Sequence, residues 1–306
     1  MSEHDDKKKP LKLSNVAKRR TKIVYEAHME DADDREMLFQ AAAMCQVFLP
    51  RREPLTPNEI WETESGKFNM TVIPLPVLNP QTHKNEYLGL PYGTKARIIL
   101  AKLNTLAVQS QSRIIDVSSA NLTQFVTSLN LSEGGNQFAA VREQIARLSN
   151  CIMRVTFDGE DYTTNANMPI VSRFNVFKDQ NNPQRWPEQI ELSELYFNTL
   201  ISHAVPISEL HLAALSNNAT AIDLYCFLAH RLHRIQKGKP IFLTWKTVKD
   251  QFGREYSRLA DFRANFIKVI SLVKSLYTDA RIELKGNKGI VLHNSPTPIV
   301  KQFALL

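Results

Sequence analysis

Cysteine is scarce in this chain and widely spaced: Cys45, Cys151 and Cys226 are the three present, with no CxxC pair. That argues against a disulfide framework and leaves three small hydrophobic residues of the kind buried in a reducing cytoplasm. Apolar runs are short, far below the roughly 18 residues that a membrane-spanning helix needs. The amino terminus, MSEHDDKKKPLKL, puts acids first and lacks an apolar core, so no secretory signal is expected. A nucleotide signature is missing too. GLPYGTKARIIL, from Gly89, holds the Gly, Thr and Lys of a phosphate loop, but its glycines stand too close and Thr94 precedes Lys95. It reads as a turn, with Thr94 capping a helix over residues 95–109. His230 and His233 lie three apart on a helical stretch without a carboxylate or cysteine pattern, which favours packing or phosphate contact over metal. His203 and His211 flank AVPISEL, again with no metal pattern. No histidine–hydrophobic–histidine element accompanies the tyrosines, so the set used by a DNA-nicking enzyme is absent. No catalytic set, metal or cofactor is expected, and the chain does not read as an enzyme.

What is present is charge of one sign in one place. The 306 residues are 43% hydrophobic and 23% charged, which fits an ordinary soluble chain of about two domains. The net charge is +7 and the isoelectric point near 9.2. Residues 231–288 hold about 14 Lys or Arg against about 5 Asp or Glu, more than the whole excess. Such localised basicity points to a polyanion-binding face; the bland alternative is a solvated helical surface. Residues 1–36 form a charged tail, a basic block from Lys7 to Lys22 and then an acidic one from Glu26 to Glu36. It is too poor in apolar residues to offset the entropy of ordering, so disorder is expected. Its basic block also has the composition of a nuclear import signal or a nucleic-acid arm.

Beyond the tail, DREMLFQAAAMCQVFL reads as a short helix ended by Pro50. KFNMTVIPLPVL reads as a strand, placed at a sheet edge by Pro74 and Pro76. Then one order of elements occurs twice. In the first half a helix over 95–109 leads to the strand RIIDV, the short helix NLTQFVTSL and the turn SEGGN. A helix over 137–150 follows, with Phe138, Val141, Ile145 and Leu148 inward, then the strand CIMRVTF, the turn DGED and the strand IVSRFNVF. The second half offers a helix over 220–235, the strand PIFLT, the short helix WKTVKDQF, a long helix with Phe262, Phe266, Val269 and Val273 inward, and a hairpin around KGNKG. Equivalent positions keep their spacing: Leu100 to Ile115 is 15 residues and Leu228 to Phe242 is 14.

Helix, strand, helix, helix, strand, turn, strand is the order of a winged helix. The fold class expected is therefore α+β: a tail over 1–36, a winged-helix unit over 37–180 and a second over 187–306. DQNNPQRWP supplies the linker. In such a unit the last helix enters a major groove and the basic turn reaches the neighbouring backbone. The expected DNA contacts of the second unit are Lys268 and Ser271 on the outer face of the long helix, with Arg263 and Lys274 on its flank. Arg258 at its start, Lys246 and Lys249 on the short helix, and Lys285 and Lys288 beside the hairpin turn complete them. In the first unit the outer face carries Asn136, Glu143, Arg147 and Asn150, with Arg142 on a flank. It is less basic, and Glu143 would meet phosphate badly, so the second unit is expected to supply most of the affinity.

Three stretches resemble plasmid-encoded replication initiators of the RepA type: GLPYGTKARIILAKLNTLAVQSQSRIIDV, LTQFVTSLNLSEGGNQFAAVREQIARLSNC and ELSELYFNTLISHAVPISELHLAALSNNATAIDLYCFLAHRL. The resemblance implies two winged-helix domains that bind repeated origin sites (iterons) on double-stranded DNA. It further implies recruitment of the host initiator and replicative helicase, repression of the initiator's own gene, a monomer–dimer equilibrium, and a cytoplasmic protein without membrane contact. Two other functions remain open on the residues alone: a transcription regulator built from the same two units, and an enzyme acting on nucleic acid.

Overall fold

The computed structural model describes residues 22–23, 25–26, 36–79, 81–117, 126–127, 135–159, 163–174 and 189–299. The charged tail expected over 1–36 therefore lies almost wholly outside the described residues. MLFQ, expected to begin a helix, is instead β1 (Met37–Gln40), followed by a single 3-10 turn at Ala43–Cys45. It pairs antiparallel with β11 (Val205–Ser208), Met37 opposite Ser208. Helical propensity loses here because Leu38 and Gln40 gain a buried face against a partner strand from the far half of the chain.

β2 (Trp61–Ser65), β3 (Phe68–Pro74), β7 (Cys151–Asp158) and β8 (Thr163–Pro169) form an antiparallel sheet in the order β2-β3-β7-β8. β3 was expected at an edge and lies inside. Its prolines explain how: Pro74 ends β3 opposite Cys151, and Pro76 opens β4 (Pro76–Leu78), which pairs with β5 (Asn85–Tyr87). They mark the break between two sheets, so the middle of β3 keeps its ladder. Between them Leu75 N donates to Asn150 O at 2.8 Å.

α1 (Gly93–Ser110) starts without the expected cap. Tyr92 is the N-cap residue, no side chain caps the helix, and Gly93 turns into it at φ 72°. β6 (Ile114–Asp116) follows, and then α2 (Gly135–Ser149), whose Val141, Ile145 and Leu148 are buried as their spacing predicts. The short helix NLTQFVTSL and the turn SEGGN fall outside the described residues, apart from helical Val126 and Thr127 and the start of α2. The linker expected at 181–186 falls outside them as well. The strand just after it, β10 (Gln189–Leu192), pairs between β6 and β9 (Val171–Phe174). Thus β10 inserts into the first half while β1 pairs with the second.

The second half runs α3 (Glu194–His203), β11, α4 (Glu209–Ala214), α5 (Ala219–Arg231), β12 (Ile241–Thr244), α6 (Trp245–Phe252), α7 (Leu259–Lys274), β13 (Ile282–Leu284) and β14 (Gly289–Leu292). Ser193, Ser208, Asn218 and Thr244 cap α3 to α6 in turn, each accepting from the backbone N–H three residues on. β12, β14 and β13 make a three-stranded sheet in that order. From α5 to β14 the element order expected from the sequence is present.

The halves share one core. Phe48 meets Phe252 at 4.9 Å between ring centroids, and Phe252 in turn meets Phe227 and Phe266 at 5.4 and 5.2 Å. Arg97 of α1 is buried against Asp223 of α5, Nε to Oδ1 at 2.7 Å and Nη2 to Oδ2 at 2.8 Å. Its remaining protons go to the carbonyls of Leu49, Pro50 and Gly93. The three cysteines are free and buried, and no helix among the described residues is long and apolar enough to cross a membrane.

Candidate nucleic-acid interface

α7 is held by Phe262, Phe266, Ile270 and Val273, each at most 3% exposed. Ile270 takes the inward place expected of Val269, which is half-buried: the i, i+4, i+8 ridge, rather than the averaged projection, packs against α5. Opposite this stripe Lys268 and Ser271 are exposed, as the projection placed them, with Ala264 and Ser275 exposed on the same face and Lys274 beside them. The basic turn is pinned next to that face. Trp245 Nε1 donates to Gly286 O at 2.8 Å and Trp245 N to Lys288 O at 3.2 Å. Arg263 Nη1 donates to Asn287 Oδ1 at 2.6 Å. Arg263 therefore ties α7 to the turn instead of standing free on the flank. Neither Trp245 nor Asn287 was singled out from the sequence; the Asn inside KGNKG was the available signal.

These bonds bring Lys246, Arg263, Lys285 and Lys288 to one end of the second half, with Lys268 five residues further along α7. Lys285 is neutralised by an ion pair with Glu283, whereas Lys246, Lys249, Lys268, Lys274 and Lys288 make no ion pair among the described residues. Lys249 is half-buried on α6, and Arg258 sits at the N-cap of α7, 3.7 Å from Asp261. The basic run is not one patch, however. Lys237, Lys239 and Arg281 lie around the other end of the sheet, where Ile241 pairs with Leu292, while Thr244 pairs with Gly289 beside the turn. About 10 Å of strand separates the two ends.

This division makes a prediction. For a turn that meets DNA phosphate, Lys288→Ala should weaken binding to every duplex alike and lower the salt slope by roughly one unit, with a smaller effect for Lys285→Ala because Glu283 already pairs with that charge. Lys237→Ala and Lys239→Ala leave the slope unchanged. Titrations on one duplex at several salt concentrations check all four.

The first half differs. The helix projection put Arg147 outward, but it is only 8% exposed. Its Nη1 donates to Leu90 O at 3.2 Å, its Nη2 pairs with Glu53 and Glu143, and its guanidinium lies 5.0 Å above the Tyr92 ring. The loop before α1 folds over what an isolated helix would expose, and a projection has no knowledge of loops. Arg142 is half-buried, and the side chain of Asn136 lies outside the described residues. Glu143 is exposed, as expected.

The stretches that carry the family resemblance meet at this place. Tyr92 N, within LPYGTKAR, donates to Gln144 Oε1, within REQIARL, at 2.9 Å. Arg97, at the end of the first motif, holds Asp223 of the third stretch. Through Tyr92 and Arg97 the LPYGTKAR segment thus ties α1 to α2 and α5.

His230 is packed rather than set to bind anion. Burial, with Arg234, His233 and Arg231 nearby, pushes its imidazole down to about 4. Folding therefore favours the neutral ring: the stability this adds is complete above the ordinary value near 6.5 and is lost as pH falls from there towards 4. A His230→Gln chain loses less thermal stability than the native chain between pH 7 and pH 5, which melting curves across that range check.

Two α+β halves on one core, the second ending in a basic helix and hairpin, define the class. The profile of the family described as "Plasmid encoded RepA protein" matches residues 90–247, just over half of the 306 residues, and the chain belongs to that family. The match spans the three resembling stretches almost entirely. Among solved structures, the crystal structure of selenomethionine derivatives of domains 2 and 3 of RctB superposes with a TM-score of 0.52 at 10% identity, covering 85% of this chain and 99% of that one. A second structure of RctB domains 2-3 gives 0.48 at 10% identity, over 82% and 95%. At such identity the first likeness is one of fold. No curated protein matches the chain.

Proposed function

We propose that this chain is a plasmid replication initiator that binds double-stranded DNA at repeated origin sites through tandem winged-helix units. The observation that carries this reading is the exposed outer face of α7, small and basic, with a lysine-bearing turn pinned beside it. α7 fits a major groove, its Ala264 and Ser271 allowing close approach and Lys268 facing the bases, while Lys288 and Lys246 meet phosphates. In the first half α1, β6, α2 and the β7–β8 hairpin follow the same order, the short helix between β6 and α2 lying outside the described residues; β9, expected as the second wing strand, pairs with β10 instead. Its α2 presents Glu143 and a sequestered Arg147, so this half contributes less DNA affinity. The family supports a role for the protein at a plasmid origin, and with that role come recruitment of the host initiator and replicative helicase, repression of its own gene, and action in the cytoplasm without catalysis of its own.

Two winged-helix units on one face of a duplex sit about one helical turn apart, so one chain protects roughly 20 base pairs. A monomer suits directly repeated sites and a two-fold dimer suits inverted ones. Sizing the protein on each kind of DNA shows different stoichiometries; equal stoichiometry ends the dimer reading. The functional test is replication: the gene supplied in trans maintains a plasmid carrying only the origin. A transcription reporter does not discriminate, since initiators and regulators both repress. Occupancy of the origin without plasmid maintenance would identify a transcription regulator, and strand nicking by the pure protein would identify an enzyme.

A further inference from the structure

The turn between α6 and α7 is held from outside its own half. Gln251 Nε2, at the end of α6, donates to Gln46 O at 2.9 Å and to Ser65 Oγ at 2.8 Å. Arg254 Nη2 pairs with Glu64 Oε1 at 2.7 Å, and its Nη1 donates to Glu62 O at 3.3 Å. Glu255 pairs with Arg51. All five partners lie between residues 46 and 65, three of them on β2. β2 is an edge of its sheet, and α6, which leads into this turn, packs against it. The turn has no slack against α7 either: a Cβ on Gly253 would sit 2.2 Å from Cδ2 of Phe262, on the buried face of α7.

In a helix-turn-helix this turn sets the angle at which the second helix leaves the first. We propose that β2 of the first half is a positioning element for α7, with Glu64 and Ser65 fixing, through Arg254 and Gln251, the angle at which the helix meets DNA. The inference rests on α7 being the reading helix. It assigns the first half a part in sequence recognition that requires no base contact of its own. It also gives Glu64 a sign opposite to its charge. Taking an acidic group away from a DNA-binding face raises affinity for any duplex by simple electrostatics. A positioning residue, when lost, lowers affinity for the true site and leaves random DNA alone, because phosphate contacts tolerate a tilted helix and base contacts do not.

The full-length chain is titrated on an origin duplex and on a random duplex of equal length, at several salt concentrations. For Glu64→Gln we expect a loss on the order of three- to tenfold on the origin duplex, with the random duplex and the salt slope unchanged. Gln251→Ala, which alters no charge, gives the same pattern. The inference is overturned if Glu64→Gln binds the origin duplex as well as or better than the native chain. It is equally overturned if Gln251→Ala loses affinity equally on both duplexes, the mark of a smaller folded fraction. A native chain that shows no preference for the origin duplex defeats the DNA-reading proposal, and this one with it; a clear native preference with unchanged variants defeats this one alone.

Discussion

An Asp223→Ala chain should melt roughly 10 °C below the native one, the largest stability loss expected of any single change described above. Arg97 is 4% exposed and spends its protons on both oxygens of Asp223 and on three backbone carbonyls. Without the carboxylate its charge stays buried among dipoles that satisfy only part of the guanidinium. Breaking one side of such a pair costs about 3–5 kcal/mol, a large share of the 5–15 kcal/mol that typically separates folded from unfolded. Removing both charges is a different matter: Arg97→Met combined with Asp223→Leu should recover most of the loss, since similar volume without charge carries no desolvation penalty. Urea unfolding of the three chains checks both statements, with an unchanged m-value showing that the folded state is the same.

The second large effect falls on recognition. Lys268 is exposed on the outer face of α7, has no ion pair among the described residues, and stands between Ala264 and Ser271. Its replacement by alanine should cost about 1–3 kcal/mol on the origin site and little on random DNA. Arg263→Ala should behave otherwise. Because Arg263 holds Asn287, its loss leaves the turn held by Trp245 and should weaken both duplexes, as loss of a backbone contact does. The helical wheel put Lys268 on the outer face and Arg263 on its flank as expected DNA contacts alike, and the hydrogen bond to Asn287 sets Arg263 apart.

What the sequence made legible was periodic or local. The stripe of α7, the short helix α6, the hairpin around KGNKG and the family stretches are written in neighbouring residues, and the described elements follow them closely. What it concealed depends on distant chain. Nothing within MLFQ says strand; β1 exists because Val205–Ser208 arrives beside it. β3 looked like an edge because its prolines were counted without knowing that the sheet changes between them. Arg147 had an outward helical phase, and the loops bearing Glu53, Leu90 and Tyr92 take it out of solvent. The grip of β2 on the α6–α7 turn belongs to the same kind, since Glu64 and Arg254 carry no local sign of their pairing.

The central claim, that the outer face of α7 enters a DNA groove, has a direct test that the native cysteines permit. Cys45, Cys151 and Cys226 are buried, and burial raises all three thiols, Cys151 to about 12, so a single introduced surface thiol is labelled selectively. A DNA-cleaving iron chelate attached at Ser271→Cys should cut the bound origin duplex at a few adjacent nucleotides on each strand. The same chelate at Ser202→Cys, exposed on α3, should not. Cleavage from residue 202 with none from residue 271, or no localised cutting from either on occupied DNA, would contradict the account.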